Sequence, residues 1–437
     1  MGCGTVEFDV KGWLRSLRVE ADLYSADELI DAFIAEMECG LAEQGAGSLA
    51  MIPSYVGAKH GIPRGRPVAV IDAGGTNLRS CLALFDAAGS LELSHFTKQP
   101  MLGTRGELSA AAFFSGLADS IESLMAGVDA IGFCFSFPAV ITPACDGRLL
   151  HWTKEIEAPE VEGQCVGAGL LQALAERGHD GKQVAVLNDT AAALLAGKAQ
   201  GEAFGASSYV GFILGTGTNS AYVEQNRNIG KLPELEASGS QVINVESGAF
   251  SRFERGALDL KLDRECANPG TYSFEKIISG VYMGPLALEL YKAACGEGLF
   301  SERGTATIMQ MENLTTIHID NLRANDGRDT GLLETDAFTD ADRDFMRTVF
   351  TAVVNRAALL TAVNISAAVI KSGAGQDAAA PVCVNIDGST YYKTTGMAQT
   401  VQTHLAQILE PRGLHIRCIH VADAPIVGAA IAALTMG

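Results

Sequence analysis

Apolar residues fall along this chain in two rhythms, and the rhythms alternate. Unbroken short runs such as Val68-Ala69-Val70-Ile71, Val184-Ala185-Val186-Leu187 and Tyr209-Val210-Gly211-Phe212-Ile213-Leu214 read as buried strands. A strand covered on both faces has no polar side to show. Residues 19–45 carry Leu29, Ile30, Phe33, Ile34 and Met37 on one stripe with acids opposite, which predicts an amphipathic helix lying on a core. Residues 107–127 and the Ala-rich 340–373 also read as helical, and 421–437 as a small-residue helix packed closely on a neighbour. Residues 127–143 predict a buried strand that breaks at Ser136-Phe137-Pro138, and 381–394 a strand followed by an Asp387-Gly388-Ser389 turn. MIPSYVGAKHGIPRGRP, from residue 51, is a connection punctuated by Pro and Gly. Strands alternating with helices predict an α/β protein.

Two strand–turn–strand units stand out within that pattern. Residues 68–86 turn at Gly74-Gly75-Thr76-Asn77, and residues 208–224 at Gly215-Thr216-Gly217-Thr218-Asn219; the turns lie 141 residues apart (215 − 74 = 141). Their likeness predicts an internal duplication of an α/β unit. Adjacent small residues permit a turn whose backbone amides face outward to bind phosphate oxygens, with the preceding Asp72 facing a hydrated metal. The same letters also fit a plain hairpin turn. Neither G-x-G-x-x-G nor a Gly-Lys-Ser/Thr ending is present at the first turn, which disfavours a dinucleotide site and excludes a Walker loop there.

The run 184–187 ends abruptly in Asn188-Asp189-Thr190, directly before the helix-forming AAALLAGKA. A strand end holds a side chain rigidly beside a crevice, so Asp189 is the candidate general base. The same three residues also fit a helix cap, with Asp or Thr satisfying backbone donors. Ser136 before a Phe-Pro turn, Thr153 and Lys154 in a polar loop, Glu246 after an apolar run and Glu275 near a helix start are further polar candidates. Each has a plain alternative: a local turn bond, a solvated charge, or a partner for a helix dipole.

Composition changes the picture only by exclusion. A chain of 437 residues with 48% hydrophobic and 19% charged residues has material for two or three lobes. Its 51 acids against 32 Lys+Arg, a net charge of −19, argue against non-specific binding of nucleic acid or anionic membranes, and still permit a phosphate-bearing ligand held by backbone amides. Ten cysteines with no CxxC pair and no zinc spacing predict thiols in a reducing compartment. No apolar run reaches the roughly eighteen residues of a membrane span, and Val6 stands where a myristoylation signal has Ser or Thr. The expectation is a cytoplasmic protein without a membrane anchor.

In order and approximate spacing, IDAGGTNLR, FSFP, WTK, LNDT, LGTGTN, VINVESGAF, FEKIISGVYMG and NIDGS resemble the motifs of the hexokinase family, over roughly residues 20–437. The resemblance implies a two-lobed actin-like (ribonuclease H-like) sugar kinase fold with a hexose/ATP cleft between the lobes, and transfer of the γ-phosphoryl group of MgATP to the 6-hydroxyl of a hexose, with glucose, the family's common preference, the expected substrate. It assigns hexose binding to Ser136, Thr153, Lys154, Asn188 and Asp189 from the smaller lobe and Asn219, Glu246 and Glu275 from the larger. Asp189 would be the base, Lys154 would add positive charge near the transferred group, and Asp72 would position Mg2+ through water. The ATP phosphates would lie on Gly74, Gly75, Thr76, Asn77 and Arg79 and on Gly215, Thr216, Gly217 and Thr218, with Gly388 and Ser389 near the adenosine. The expected lobes are 66–205 with the C-terminal helix 424–437, and 1–65 with 206–423; monomer and homodimer both stay open.

The chain departs from the family's pattern in three places. Ser247-Gly248 follows Glu246 where the family has Trp-Gly, Glu155-Ile156 follows Lys154 where Gly-Phe is usual, and Asp423-Ala424-Pro425-Ile426-Val427-Gly428 replaces Gly-Ser-Gly-Lys-Gly. These bear on hexose choice and on the phosphate donor. A kinase for fructose, mannose or an amino sugar, a non-catalytic hexose sensor on the same fold, and an actin-like ATPase are the competing readings.

Overall fold

The computed structural model describes residues 8–57, 61–153 and 156–436. Two mixed sheets form its skeleton. In the first, strands Pro67–Ala73, Asn77–Phe85, Leu91–Pro100, Ala130–Phe135 and Gln183–Leu187, counted one to five, stand in the order three-two-one-four-five. In the second, Ser208–Leu214, Thr218–Gln225, Ser240–Asn244, Val382–Asp387 and Ile416–Ile419 take the same order. Strand one pairs antiparallel with two and parallel with four in both. The first strands begin 141 residues apart (208 − 67 = 141), so the repeat seen in the glycine turns extends to whole sheets. The second sheet carries one more strand, Ile52–Pro53, paired with Ser240–Asn244 and drawn from the stretch that reads as a bare connection.

Side chains alternate across both sheets, as a two-residue period requires. Val68 and Val70 enter a core between the sheets, whereas Ala69, Ile71 and Ala73 enter an outer core under helices Ala110–Asp119 and Val166–Ala175. In the second sheet Tyr209 and Cys383 face the middle, and Val210, Phe212, Val384 and Ile386 face the large lobe's own core. That core is built on helix Asp340–Lys371, flanked by Ala26–Ala42, Thr316–Ala324 and Met397–Leu409. Among the described residues it is the one helix long and apolar enough to cross a bilayer, and here 89% of its most apolar window is buried in the fold.

The middle layer consists of two helices that change sides. Asp189–Gly201 follows the last strand of the first sheet yet packs on the second: Thr190 O and Leu194 N each lie 2.5 Å from where a Cβ on Gly211 would fall, and Asn385 Nδ2 donates to Ala193 O at 2.8 Å. Ala424–Thr435 follows the last strand of the second sheet and packs on the first, Ala429 O standing 2.1 Å from the Cβ position of Gly132. Where the helices cross, Ala192 O is 1.9 Å from the Cβ position of Gly428. Backbone touches backbone at these three points, and only glycine leaves room for it.

Candidate active site

A cleft of about 740 Å³ opens between the lobes, a size suited to a small molecule. Ser136, Thr153, Asn188 and Asp189 line it from the small lobe, and Thr216, Gly217, Thr218, Asn219, Glu246 and Glu275 from the large one. Residues scattered over the sequence meet here because strands of both sheets end at this rim. Lys154 lies outside the described residues.

On the small-lobe side, the strand Gln183–Leu187 stops at Asn188, whose Oδ1 accepts from Thr190 N at 2.8 Å and caps the helix. The sequence offers Asp or Thr for that task; the cap is Asn188, because its extended backbone places the amide oxygen over the second helical N–H. Asp189 is thereby the first helical residue, with its carboxylate at the positive end of the helix and on the cleft wall. The loop bearing Thr153 is pinned by its neighbour: Trp152 packs edge-on against Phe137 and donates Nε1–H to Ala158 O at 2.7 Å.

The large-lobe carboxylates are wired more tightly. Glu246 sits at φ 58°, a left-handed conformation unusual for a side chain this large. Its Oε1 accepts from Asn244 Nδ2 at 2.8 Å and from Asn219 Nδ2 at 3.2 Å. Asn219 Oδ1 in turn accepts from Ser220 N and Ser247 N, so this predicted sugar ligand is also the bracket that holds the loop. Glu275 Oε2 accepts from Thr218 N at 3.0 Å, and it occupies the space a Cβ on Gly217 would need, 2.5 Å away. The second glycine turn is therefore shaped around a carboxylate. Burial raises both carboxyls above the ordinary range; Asn244 opposes this for Glu246 and the Thr218 amide for Glu275.

Asp72, Gly74, Gly75, Thr76, Asn77, Arg79, Gly388 and Ser389 do not line this cavity. The first turn closes with Gly74 N donating to Asn77 O, leaving the amides of Gly75 and Thr76 outside the strand ladder. The second is one residue tighter, since Leu214 pairs with Thr218 whereas Ala73 pairs with Leu78. Gly388, at φ 116°, lies against it: a Cβ there would fall 2.2 Å from Leu214 O. Asp72 shares a sheet face with Val68 and Val70, on the side of the crossing helices. Arg79 reaches Asp72 Oδ2 through Nε at 2.7 Å and Nη2 at 2.6 Å, and Asp423 Oδ1 through Nη1 at 2.8 Å. Burial raises the Asp72 carboxyl even so, and burial with the charges of Asp72 and Asp189 keeps the Cys134 thiol protonated beside it.

Comparison with known proteins decides the lineage. Models of the hexokinase family match residues 11–199 and 209–435. The chain belongs to the hexokinase family. Hexokinase-7 of Oryza sativa subsp. japonica is 31% identical, over 93% of this chain and 92% of its own length. The Hexokinase-like 1 protein of Arabidopsis thaliana is 30% identical, over 93% of this chain and 87% of its own. A solved hexokinase from Schistosoma mansoni, complexed with glucose, matches at a TM-score of 0.76 and 25% identity, covering 98% of this chain and 99% of that one. The fold is the two-lobed actin-like sugar kinase fold of these hexokinases.

Two departures from the family's motifs have structural substitutes. Ser247 is fully buried, and its Oγ accepts from Asn364 Nδ2 at 2.9 Å, so a polar contact to the core helix fills the place behind Glu246. Ile156 is buried in the small-lobe core, against the Cβ position of Gly103. Sequence reasoning missed Asn244, whose only signal is a polar residue closing a buried strand, and Tyr272, which lines the cleft at φ 49°. It also missed the tie between Arg79 and Asp423, which no local pattern announces.

Proposed function

We propose that this hexokinase-family protein transfers the γ-phosphoryl group of ATP to the 6-hydroxyl of a hexose, glucose foremost, with Mg2+ required. The observation that carries this reading is the facing of Asp189 across one cleft by Glu246 and Glu275, with the second glycine turn, of the phosphate-binding type, on the same wall. A hexose offers hydroxyls that both donate and accept, and carboxylates bracketed by amides satisfy them in fixed orientation. Glu246 and Glu275 would accept from sugar hydroxyls, Asn188 Nδ2 and the hydroxyls of Ser136 and Thr153 would complete the shell, and Asp189 would take the proton of the attacking 6-hydroxyl.

Mg2+, when bound with the nucleotide, supplies charge neutralisation on the transferring phosphoryl group. The donor suits that ion: Asp72, a hard carboxylate near the end of strand Pro67–Ala73 and just before the first glycine turn, would hold it through water, as small hard cations prefer. Closing the lobes around the sugar would exclude water as a competing acceptor. The test is ADP release by the purified protein with MgATP and a panel of hexoses. Hexose-dependent release that ranks glucose first is the expected result. Silence across the panel with hexose binding intact by calorimetry would replace catalysis by sensing.

A further inference from the structure

The C-terminal helix begins where the family's glycine-rich phosphate motif has been replaced. Its first turn contains Pro425, which has no N–H, so this end offers fewer backbone donors to an anion. What stands there instead is Asp423, held at φ 51° and ψ 35° with no capping bond from its side chain. Its carboxylate accepts from Arg79 Nη1 at 2.8 Å, while the other two guanidinium nitrogens, Nε and Nη2, each donate to Asp72. One cation, Arg79, is thus shared by two carboxylates. The network spans both repeats, since Asp72 and Arg79 belong to the first sheet and Asp423 to the chain leaving the second.

We propose that Asp423 is a positioning residue for the cation and nucleotide end of the site. It divides Arg79 between two acids, so that Asp72 keeps enough negative charge to hold a hydrated divalent cation instead of being neutralised by a private Arg79 ion pair. The same anchorage keeps Arg79 beside the first glycine turn when a cation takes over Asp72. Without Asp423, Arg79 competes with the cation; with it, Arg79 cooperates. This rests on the kinase reading above for its meaning, and its test is separable from that reading.

Asp423→Asn isolates the charge. Asn tolerates the left-handed backbone at least as well as Asp, and its Oδ1 still accepts from Arg79, so the fold and the bond survive while the negative charge goes. The measurement is Mn2+ binding in the presence of ADP, followed by water-proton relaxation. The expected result is an affinity lower by roughly 5- to 30-fold, the loss of one unit charge from a partly buried network. The Mg2+ concentration for half-maximal hexose-dependent ADP release should rise by a similar factor, hexose affinity by calorimetry should hold, and Asp423→Glu should recover most of the Mn2+ affinity. Mn2+ affinity in Asp423→Asn within twofold of the parent would overturn the proposal, and so would an Asp423→Glu protein as weak as Asp423→Asn. A protein that turns over no hexose yet binds Mn2+ with ADP in an Asp423-dependent way would keep the proposal and remove the catalytic reading.

Discussion

Asp189 and Asp423 hold equivalent places in the two repeats. Each stands where the chain leaves the fifth strand of its own sheet and starts a helix that crosses to the other sheet. Yet Asp189 is the first helical residue, capped from behind by Asn188, and lines the cleft. Asp423 is itself the cap position, turned left-handed, and faces Arg79. A shift of one residue relative to the helix start, with an αL backbone in place of an extended one, sends two similar carboxylates to different tasks. The two repeats thus share a frame with two matching corners, and the side-chain work is divided between them. Asp72 teaches the same: its counterpart in the second repeat, 141 residues on, is Ile213 (72 + 141 = 213).

The largest effect should come from Asp189. Asp189→Asn is expected to lower the rate of phosphoryl transfer by about 10²- to 10⁴-fold, the usual worth of a general base, while hexose binding remains measurable by calorimetry. A rate within a few-fold of the parent would erase the distinction between the two aspartates. Next in size is the crossing that sets both of them. Gly428→Ala places a methyl 1.9 Å from Ala192 O and should cost about 1–3 kcal/mol or more in denaturant unfolding. Gly296→Ala, at the end of helix Gly280–Gly296 with nothing within 4 Å, should be neutral or slightly stabilising.

The large-lobe acids sharpen the contrast from the other side. Glu246→Gln and Glu275→Gln should weaken hexose binding by roughly 1–3 kcal/mol each, with a far smaller effect on the rate at saturating sugar. Unchanged hexose affinity in both would misplace the sugar. The smallest effect is on stability against pH. Both carboxyls hold their proton more tightly folded than unfolded, so each costs the ligand-free protein stability as pH rises above the ordinary value of 4.5 through the raised one. Glu246→Gln should therefore raise the melting temperature at neutral pH, and the gain should vanish in acid, where the parent Glu is protonated. Hexose affinity of the parent should fall with acidification, starting above pH 4.5, as the acceptors are lost.

How much of this was legible depends on where physics writes locally. Buried strands are continuous apolar runs, and the glycine turns need small residues, so both first strands, both turns and the 141-residue repeat stand in the sequence. Leu91–Pro100 does not: it is an edge strand exposed along nearly its whole length, bulged where Ser80 and Leu82 pair, with His95 at φ 53°, and only its bonds to Asn77–Phe85 define it. The exchange of helices is equally silent, because Ala191-Ala192-Ala193-Leu194-Leu195 is apolar all round and names no partner. In the site, single acids such as Glu246 and Glu275 could be picked out, whereas Asn244 and the Arg79 network follow from three-dimensional neighbours alone.

The crossing at Gly428 and Ala192 has a mechanical meaning. Two rods in backbone contact at one point, each fixed to the opposite plate, behave as the rivet of a pair of scissors: they resist sliding and pulling apart, and they yield to rotation. Motion of the blades is then angular, least at the rivet and greatest at the tips. Under such a rotation Asp189, three residues from Ala192, would travel little, and the loop carrying Thr153, out on the rim, would travel far. In such a tool the cutting point stays in register however wide the handles open.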